Sequence, residues 1–214
     1  MLLRDYFDYE YGFPKVEKLI RIHPFNELAF TKQSITWHNE RDVLTHSLCC
    51  AKEMRDHLWN YKNYNDENKE EAMILIMAAV LHDIGKTFSH TFDDDDLKSK
   101  MRRQHGEIGY HLFKTMFNEK IDDKALINTV GWFIRYHMKP LEWGENFDKI
   151  NLQEEIEKIK KETADCGQYQ KFATFKNLFL LKEMDNKSAI FTVEDYAAEK
   201  MDFIYKRIKD MGYE

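Results

Sequence analysis

The chain has 214 residues, 43% hydrophobic and 33% charged, an ordinary globular balance at a length that suits one domain better than two. A chain of this size buries most of the apolar surface that its unfolded form exposes, so neither a disulfide nor a structural metal is needed merely to fold it, and any metal serves chemistry. The formal net charge of −6 argues against a protein that coats nucleic-acid backbone, which requires clustered Lys and Arg, and leaves a small phosphate ester or a single nucleic-acid end as possible ligands.

The opening Met1-Leu2-Leu3-Arg4-Asp5-Tyr6 has neither the apolar core nor the small-residue cleavage site of a signal peptide. The aromatic residues that follow (Tyr6, Phe7, Tyr9, Tyr11, Phe13) are expected to pack on the core, within an N-terminal extension that spans residues 1–36. With only 8 Gly and 3 Pro, no alternating strand pattern, and apolar residues recurring at helical spacing from about residue 40 onward, the chain reads as all-α. Helices are expected over 15–22, 41–60, 69–84, 100–118, 123–138, 147–162, 168–186 and 193–211. Asn60 to Lys69 and Phe88 to Lys98 read as exposed connections. The run Asp93-Asp94-Asp95-Asp96 in the second is expected to be a solvated loop, because adjacent like charges spread into water. Cys49, Cys50 and Cys166 are too few and wrongly spaced for a disulfide framework or a zinc site, which fits a reducing compartment, the cytoplasm by default. The longest apolar run, Met73 to Leu81, is too short to span a bilayer.

That run is apolar on every side, as expected of a central buried helix. It ends in His82 and Asp83, followed by Ile84-Gly85-Lys86, so two ionisable groups stand at the buried end of a core helix just before a glycine able to terminate it. A buried carboxylate needs a partner. Other metal-capable residues replace apolar ones on inward faces. His46 falls three residues after Val43 and four before Cys50; Asp185 continues the stripe of Leu178 and Leu181; His137 follows Ile127, Val130 and Ile134; His105 leads into Ile108 and Leu112. A lone histidine on an apolar face is ordinarily a core residue hydrogen-bonded to backbone. Six such groups together would cost several kcal/mol to bury without a cation, and a shared metal site removes that cost. His23, His38, His57, His90 and His111 lack this placement and read as surface or structural, with His111 on the opposite face from His105.

The adjacent His82-Asp83, with His46 upstream and Asp185 far downstream, resembles the H…HD…D signature of the HD superfamily of metal-dependent phosphohydrolases. The segment from Trp37 to Leu48 is similar to the His-Pro-Glu-Gly-Asp-Val-x-x-His-Thr-Leu stretch of the HD domain attached to bacterial CCA-adding enzymes, and Leu81-His82-Asp83-Ile84-Gly85-Lys86 is similar to its second motif. Gln104-His105-Gly106-Glu107 and Tyr136-His137-Met138 fall where that family carries further histidines. The resemblance implies an HD domain at 37–190, in a helical bundle with the metal site at its centre, and residues 191–214 then read as a helix completing it. It implies His46, His82, Asp83 and Asp185 as metal ligands, with His105 and His137 as the extra ligands of a two-metal branch in which Asp83 bridges. Imidazole mixed with carboxylate suits one or two divalent ions such as Mn²⁺, Fe²⁺ or Mg²⁺.

The activity so implied is hydrolysis of a phosphomonoester or phosphodiester in a nucleotide, a 2′,3′-cyclic phosphate or an RNA end, with the ion activating water and neutralising phosphoryl charge. Asp83 and Lys86 would be catalytic. Lys86 also reads as a solvated lysine complementing a helix dipole, and only the Ile-Gly-Lys motif favours the catalytic role. Arg103 and Lys187 are candidate phosphate contacts, with Arg102 and Lys139 behind them, although surface charge is the ordinary reading for all four. No Gly-Tyr-Pro motif follows His105 and no acidic pair follows Asp83, which speaks against cyclic-di-GMP and alarmone hydrolysis. No nucleotidyltransferase region precedes the motifs, so CCA addition is not expected of this chain alone. The rival readings are a non-catalytic module that binds a nucleotide or RNA end, and an RNA-repair partner that docks on another enzyme. Complete retention of His46, His82, Asp83 and Asp185 favours the enzyme. No membrane association is expected, and the oligomeric state is left open.

Overall fold

Ten consecutive side chains, Ala72 to Leu81, are buried, so the helix that carries them is covered all round. A computed structural model of the chain describes residues 3–7, 14–33, 42–60, 68–88, 95–117, 123–189 and 196–213. It is an all-α bundle. In chain order its helices are α1 (Val16–Leu19), α2 (Val43–Asn60), α3 (Lys69–Leu81), α4 (Asp95–Phe117), α5 (Lys124–Tyr136), α6 (Lys139–Asn146), α7 (Leu152–Glu162), α8 (Phe175–Ser188) and α9 (Tyr196–Asp210). Among the described residues, extended pairing is limited to the isolated bridges Phe7 with Pro14 and Lys32 with Asp42.

The central helix α3 packs on α2, α5 and α8, while α4 lies against α5 and the 3₁₀ turn Ile84–Phe88. Burying each large aliphatic side chain of α3 contributes about 1.5–3 kcal/mol. At the far end of the chain, α9 packs on α6 and α8, with Ile204 and Ile208 buried. Near the start, Tyr6 and Phe7 are buried, and Tyr6 meets the Phe117 ring edge-on at 5.9 Å between centroids. Tyr9, Tyr11 and Phe13 lie outside the described residues. No helix among the described residues is long and apolar enough to cross a membrane.

Several element boundaries differ from those read off the sequence, each for a local reason. The central helix ends at Leu81 rather than 84, and the chain continues as the 3₁₀ turn. Gly85 is therefore not a helix terminator; it is needed for close approach, since a Cβ there would lie 2.0 Å from the His105 carbonyl oxygen. The expected helix 123–138 stops at Tyr136, and α6 starts at once, with Pro140 in its first turn where a missing N–H costs nothing. The expected helix 168–186 begins only at Phe175. Residues 168–172 belong instead to the 3₁₀ segment Thr163–Phe172, and the extended backbone of Thr174, which caps α8, separates the two. The connection expected to run to Lys98 ends earlier, because α4 starts at Asp95. Residues 95 and 96 thus fall within a helix rather than a loop, while Asp93 and Asp94 lie outside the described residues.

Side-chain caps set other helix starts. Asp123 accepts from Leu126 N at 3.3 Å, Asn151 from Glu154 N at 3.3 Å, and Thr174 from Asn177 N at 3.2 Å. The last fixes the register of α8 and so determines which of its side chains face the core.

Candidate metal centre

Five helices and the turn after α3 deliver six ionisable side chains to one buried place. Asp42 opens α2 by accepting from Thr45 N at 2.8 Å and Thr45 Oγ1 at 2.9 Å. From there Val43, His46, Ser47, Cys50, Ala51 and Met54 form a continuous buried face. On α8 the buried face is Leu178, Leu181, Lys182, Asp185 and Ser188. His82 follows the last residue of α3, and His137 follows the last residue of α5. His105 lies on α4.

The rings are held by a repeated device. His82 Nδ1 lies 2.8 Å from the Ala79 carbonyl and His137 Nδ1 lies 2.7 Å from the Ile134 carbonyl. In each case Nδ1–H donates to the carbonyl three residues back, which turns Nε2 toward the interior. Ser188 achieves the same for His46. Its hydroxyl donates to the Asp185 carbonyl at 2.7 Å and accepts from His46 Nδ1 at 3.2 Å.

Asp83 stands between two histidine pairs with its oxygens divided. Oδ2 lies 3.3 Å from His82 Nε2 and 3.7 Å from His46 Nε2, whereas Oδ1 lies 3.1 Å from His105 Nε2 and 3.7 Å from His137 Nε2. Asp185 Oδ1 joins the first pair, 2.8 Å from His46 Nε2 and 3.4 Å from His82 Nε2. The Nε2 atoms of His105 and His137 are 2.9 Å apart. Two groups able to hold an ion result, His46–His82–Asp83 and Asp83–His105–His137, and they share Asp83.

Two glycines make the second group possible. A Cβ on Gly106 would lie 2.7 Å from the Arg135 carbonyl oxygen, so α4 and α5 touch backbone to backbone one residue after His105 and two before His137. Gly85 likewise lets the turn after Asp83 rest on the α4 backbone.

The charges confirm how strongly these groups are coupled. Burial alone would raise the Asp83 pKa, but the charges of His82 and Lys86 hold it well below the usual carboxylate range; Lys182 and His82 do the same for Asp185. Burial alone would lower the His82 pKa, yet Asp83 and Asp185 push it up to about 10. His137, buried beside His105 and His82, is driven well below the ordinary histidine value. His82 Nε2 is fully buried and finds no hydrogen bond of good geometry. An inward imidazole nitrogen without such a bond, among carboxylates and further imidazoles, is what a divalent transition ion requires, so the residues fit a metal.

Lys86 reaches this centre: its Nζ lies 2.6 Å from Asp83 Oδ2 and donates to Gln33 Oε1 at 2.8 Å. The other candidate cations are not brought there. Lys187 is exposed and pairs with Glu183, and Lys139 pairs with Glu142 at 3.0 Å and Glu155 at 3.3 Å. The side chains of Arg102 and Arg103 lie outside the described residues. His23 is exposed and pairs with Glu27, His111 is exposed and pairs with Glu107, and His57 is half-buried at the α2 surface; His38 and His90 lie outside the described residues.

Sequence reasoning missed Lys182. It is buried, its Nζ lies 2.5 Å from Asp185 Oδ2, and it therefore leaves Oδ1 alone to face the histidines. Its position in the α8 stripe, four after Leu178 and three before Asp185, was the available signal. Gln33 and Ser188 were missed as well, since neither carries a pattern in the linear sequence.

Comparison with curated proteins and with solved structures finds no match. The family model described as HD domain matches residues 43–189, a span that contains all six clustered residues. The chain therefore belongs to the HD domain family, whose members bind divalent metals and are generally metal-dependent hydrolases.

Proposed function

We propose that this protein is a metal-dependent phosphohydrolase that cleaves a phosphomonoester or phosphodiester, in a nucleotide, a 2′,3′-cyclic phosphate or an RNA end. The observation that carries the reading is the division of the Asp83 oxygens between two histidine pairs, which favours two ions over one. His46, His82, Asp83 and Asp185 would hold the first and Asp83, His105 and His137 the second, with Mn²⁺ or Fe²⁺ best suited to the donor set. Bound divalent ions supply water of lowered pKa and positive charge for the phosphoryl oxygens.

The chain's own side chains do the rest. Asp83 fixes the spacing of the two groups. Lys86, held by Gln33 and Asp83 at the edge of the centre, presents an ammonium to the oxygens that gain charge as the bond to phosphorus breaks. Lys182 occupies Asp185 Oδ2, leaving Oδ1 as the oxygen that would hold an ion. The net charge of −6 suits a small or terminal phosphate rather than extended nucleic acid, and a cytoplasmic location agrees with three free cysteines.

A panel of nucleoside mono-, di- and triphosphates, cyclic nucleotides and RNA ends, assayed with Mn²⁺ or Mg²⁺, tests the reading. Wild type is expected to release phosphate or open the ester, Asp83→Ala to lose both metal and turnover, and Lys86→Met to keep its metal while kcat falls by about 10²-fold or more. Stoichiometric metal without turnover on any substrate would favour a module that only binds a nucleotide or RNA end.

A further inference from the structure

On the outer side of α4 and α5, facing away from the metal centre, the 163–172 segment closes a cavity of about 170 Å³. Its walls include the Tyr110 and Trp132 rings, and three cations line it, Lys114, Lys124 and Arg135, together with two carboxylates, Glu162 and Asp165. Arg135 is already neutralised. It forms a two-pronged pair with Glu107 at 2.6 and 2.9 Å and reaches Glu162 at 2.6 Å.

The two lysines are different. Lys114 is half-buried, and its ammonium donates to the Asn128 amide oxygen, whose nitrogen in turn donates to the Asp165 carbonyl at 2.6 Å. Among the described residues no carboxylate lies within ion-pair distance of Lys114 or Lys124. Burial and the neighbouring Lys124 push the Lys114 pKa down, and the Asp165 carboxylate offsets them only in part. With Arg135 matched by Glu107 and Glu162, the two lysines face Asp165 alone, an excess of one positive charge that a bound anion would offset.

We infer that this cavity is a binding site for a small oxyanion, a phosphate or carboxylate group on a compact molecule, held by Lys114 and Lys124 and walled by Tyr110 and Trp132. At about 30 Å³ per water, the volume corresponds to five or six waters, room for an oxyanion with a few carbon atoms. Arg135 and Glu107 cross-link the helices that carry His105 and His137, so the site backs onto the frame of the second histidine pair.

The indole N–H of Trp132, assigned with Trp132→Phe, reports on the cavity in ¹H–¹⁵N spectra of the full chain. Titration with inorganic phosphate and with acetate, at constant ionic strength, is expected to move it saturably. Binding should weaken about tenfold or more in Lys114→Gln, which keeps a donor for Asn128, and severalfold in Lys124→Gln at an exposed position. Saturation by phosphate alone identifies a phosphate site, and by acetate alone a carboxylate site. The same shift must persist in Asp83→Ala, which separates it from any anion at the metal centre. An indole that does not move, that moves without saturating, that no longer moves in Asp83→Ala, or that titrates alike in Lys124→Gln and wild type would overturn the inference.

Discussion

Replacing Gly106 by Ala tests whether backbone contact between α4 and α5 builds the second half of the centre. The new Cβ would lie 2.7 Å from the Arg135 carbonyl oxygen and 3.2 Å from that of Ile134, both main-chain atoms that no rotamer change can move. Ordinary contact begins near 3.4 Å, so the helices must part by about 0.7 Å. Overpacking of this kind costs about 1–3 kcal/mol, against a gain of about 1 kcal/mol from replacing glycine within a helix, so a net loss of up to about 2 kcal/mol is expected. His105 and His137 ride on the separating helices, and their Nε2 atoms now lie 2.9 Å apart. His46, His82 and Asp185 do not. Urea unfolding should therefore show the stability loss, and metal analysis after equilibrium dialysis should show roughly one bound equivalent fewer than wild type, with the first site retained. Gly144→Ala serves as the control: its Cβ would press on Lys200 at 3.0 Å, remote from the centre, and should leave metal content unchanged. Gly106→Ala protein with wild-type stability and wild-type metal content would refute the reasoning.

Lys182→Met removes the buried ammonium that pairs with Asp185 and leaves a buried carboxylate exposed to its own desolvation cost, about 3 kcal/mol or more for a broken buried pair. The loss should be largest after EDTA treatment and smaller with Mn²⁺, which supplies the missing charge; urea midpoints with equal losses in both conditions would contradict this role. A second expectation concerns pH. The His82 pKa is raised to about 10 from 6.5, so in EDTA-treated protein its stabilising effect is complete below 6.5 and is lost as pH rises through 10, whereas the depressed carboxylates lose theirs only at acidic pH. Metal binding must expel the His82 proton, so calorimetry at pH 8 in buffers of different ionisation enthalpy should report about one proton released, with affinity rising as pH increases. Binding without proton release at that pH would show that His82 is not protonated before the metal enters.

The fold was legible wherever one element buries a simple pattern. The apolar run of α3 and the three- and four-residue spacings of α2, α5 and α8 point inward in the sequence as they do in the structure, because burial against neighbouring helices dictates both. Element ends were less legible. A new helix with Pro140 in its first turn follows soon after His137, and the extended Thr174 delays the start of α8; both effects depend on local backbone geometry rather than on hydrophobic period.

The six ionisable residues of the centre could be proposed from sequence because each interrupts an apolar stripe at a position where a charge is costly. What supports them could not, and the difference is physical. Gly85 and Gly106 matter through what they allow another segment to do, bringing the Asp83 turn and α5 against the α4 backbone, and a contact of this type has no one-dimensional pattern. Ser188 and the carbonyls of Ala79 and Ile134 orient rings whose identity alone was visible. Lys182 is the intermediate case. A lysine inside the α8 stripe breaks the same rule as a buried histidine, but its long stem lets a surface position be assumed. Its pairing with Asp185 shows that the rule that points to the candidate ligands, that a buried charge implies a partner, extends to one more residue on the same helix face.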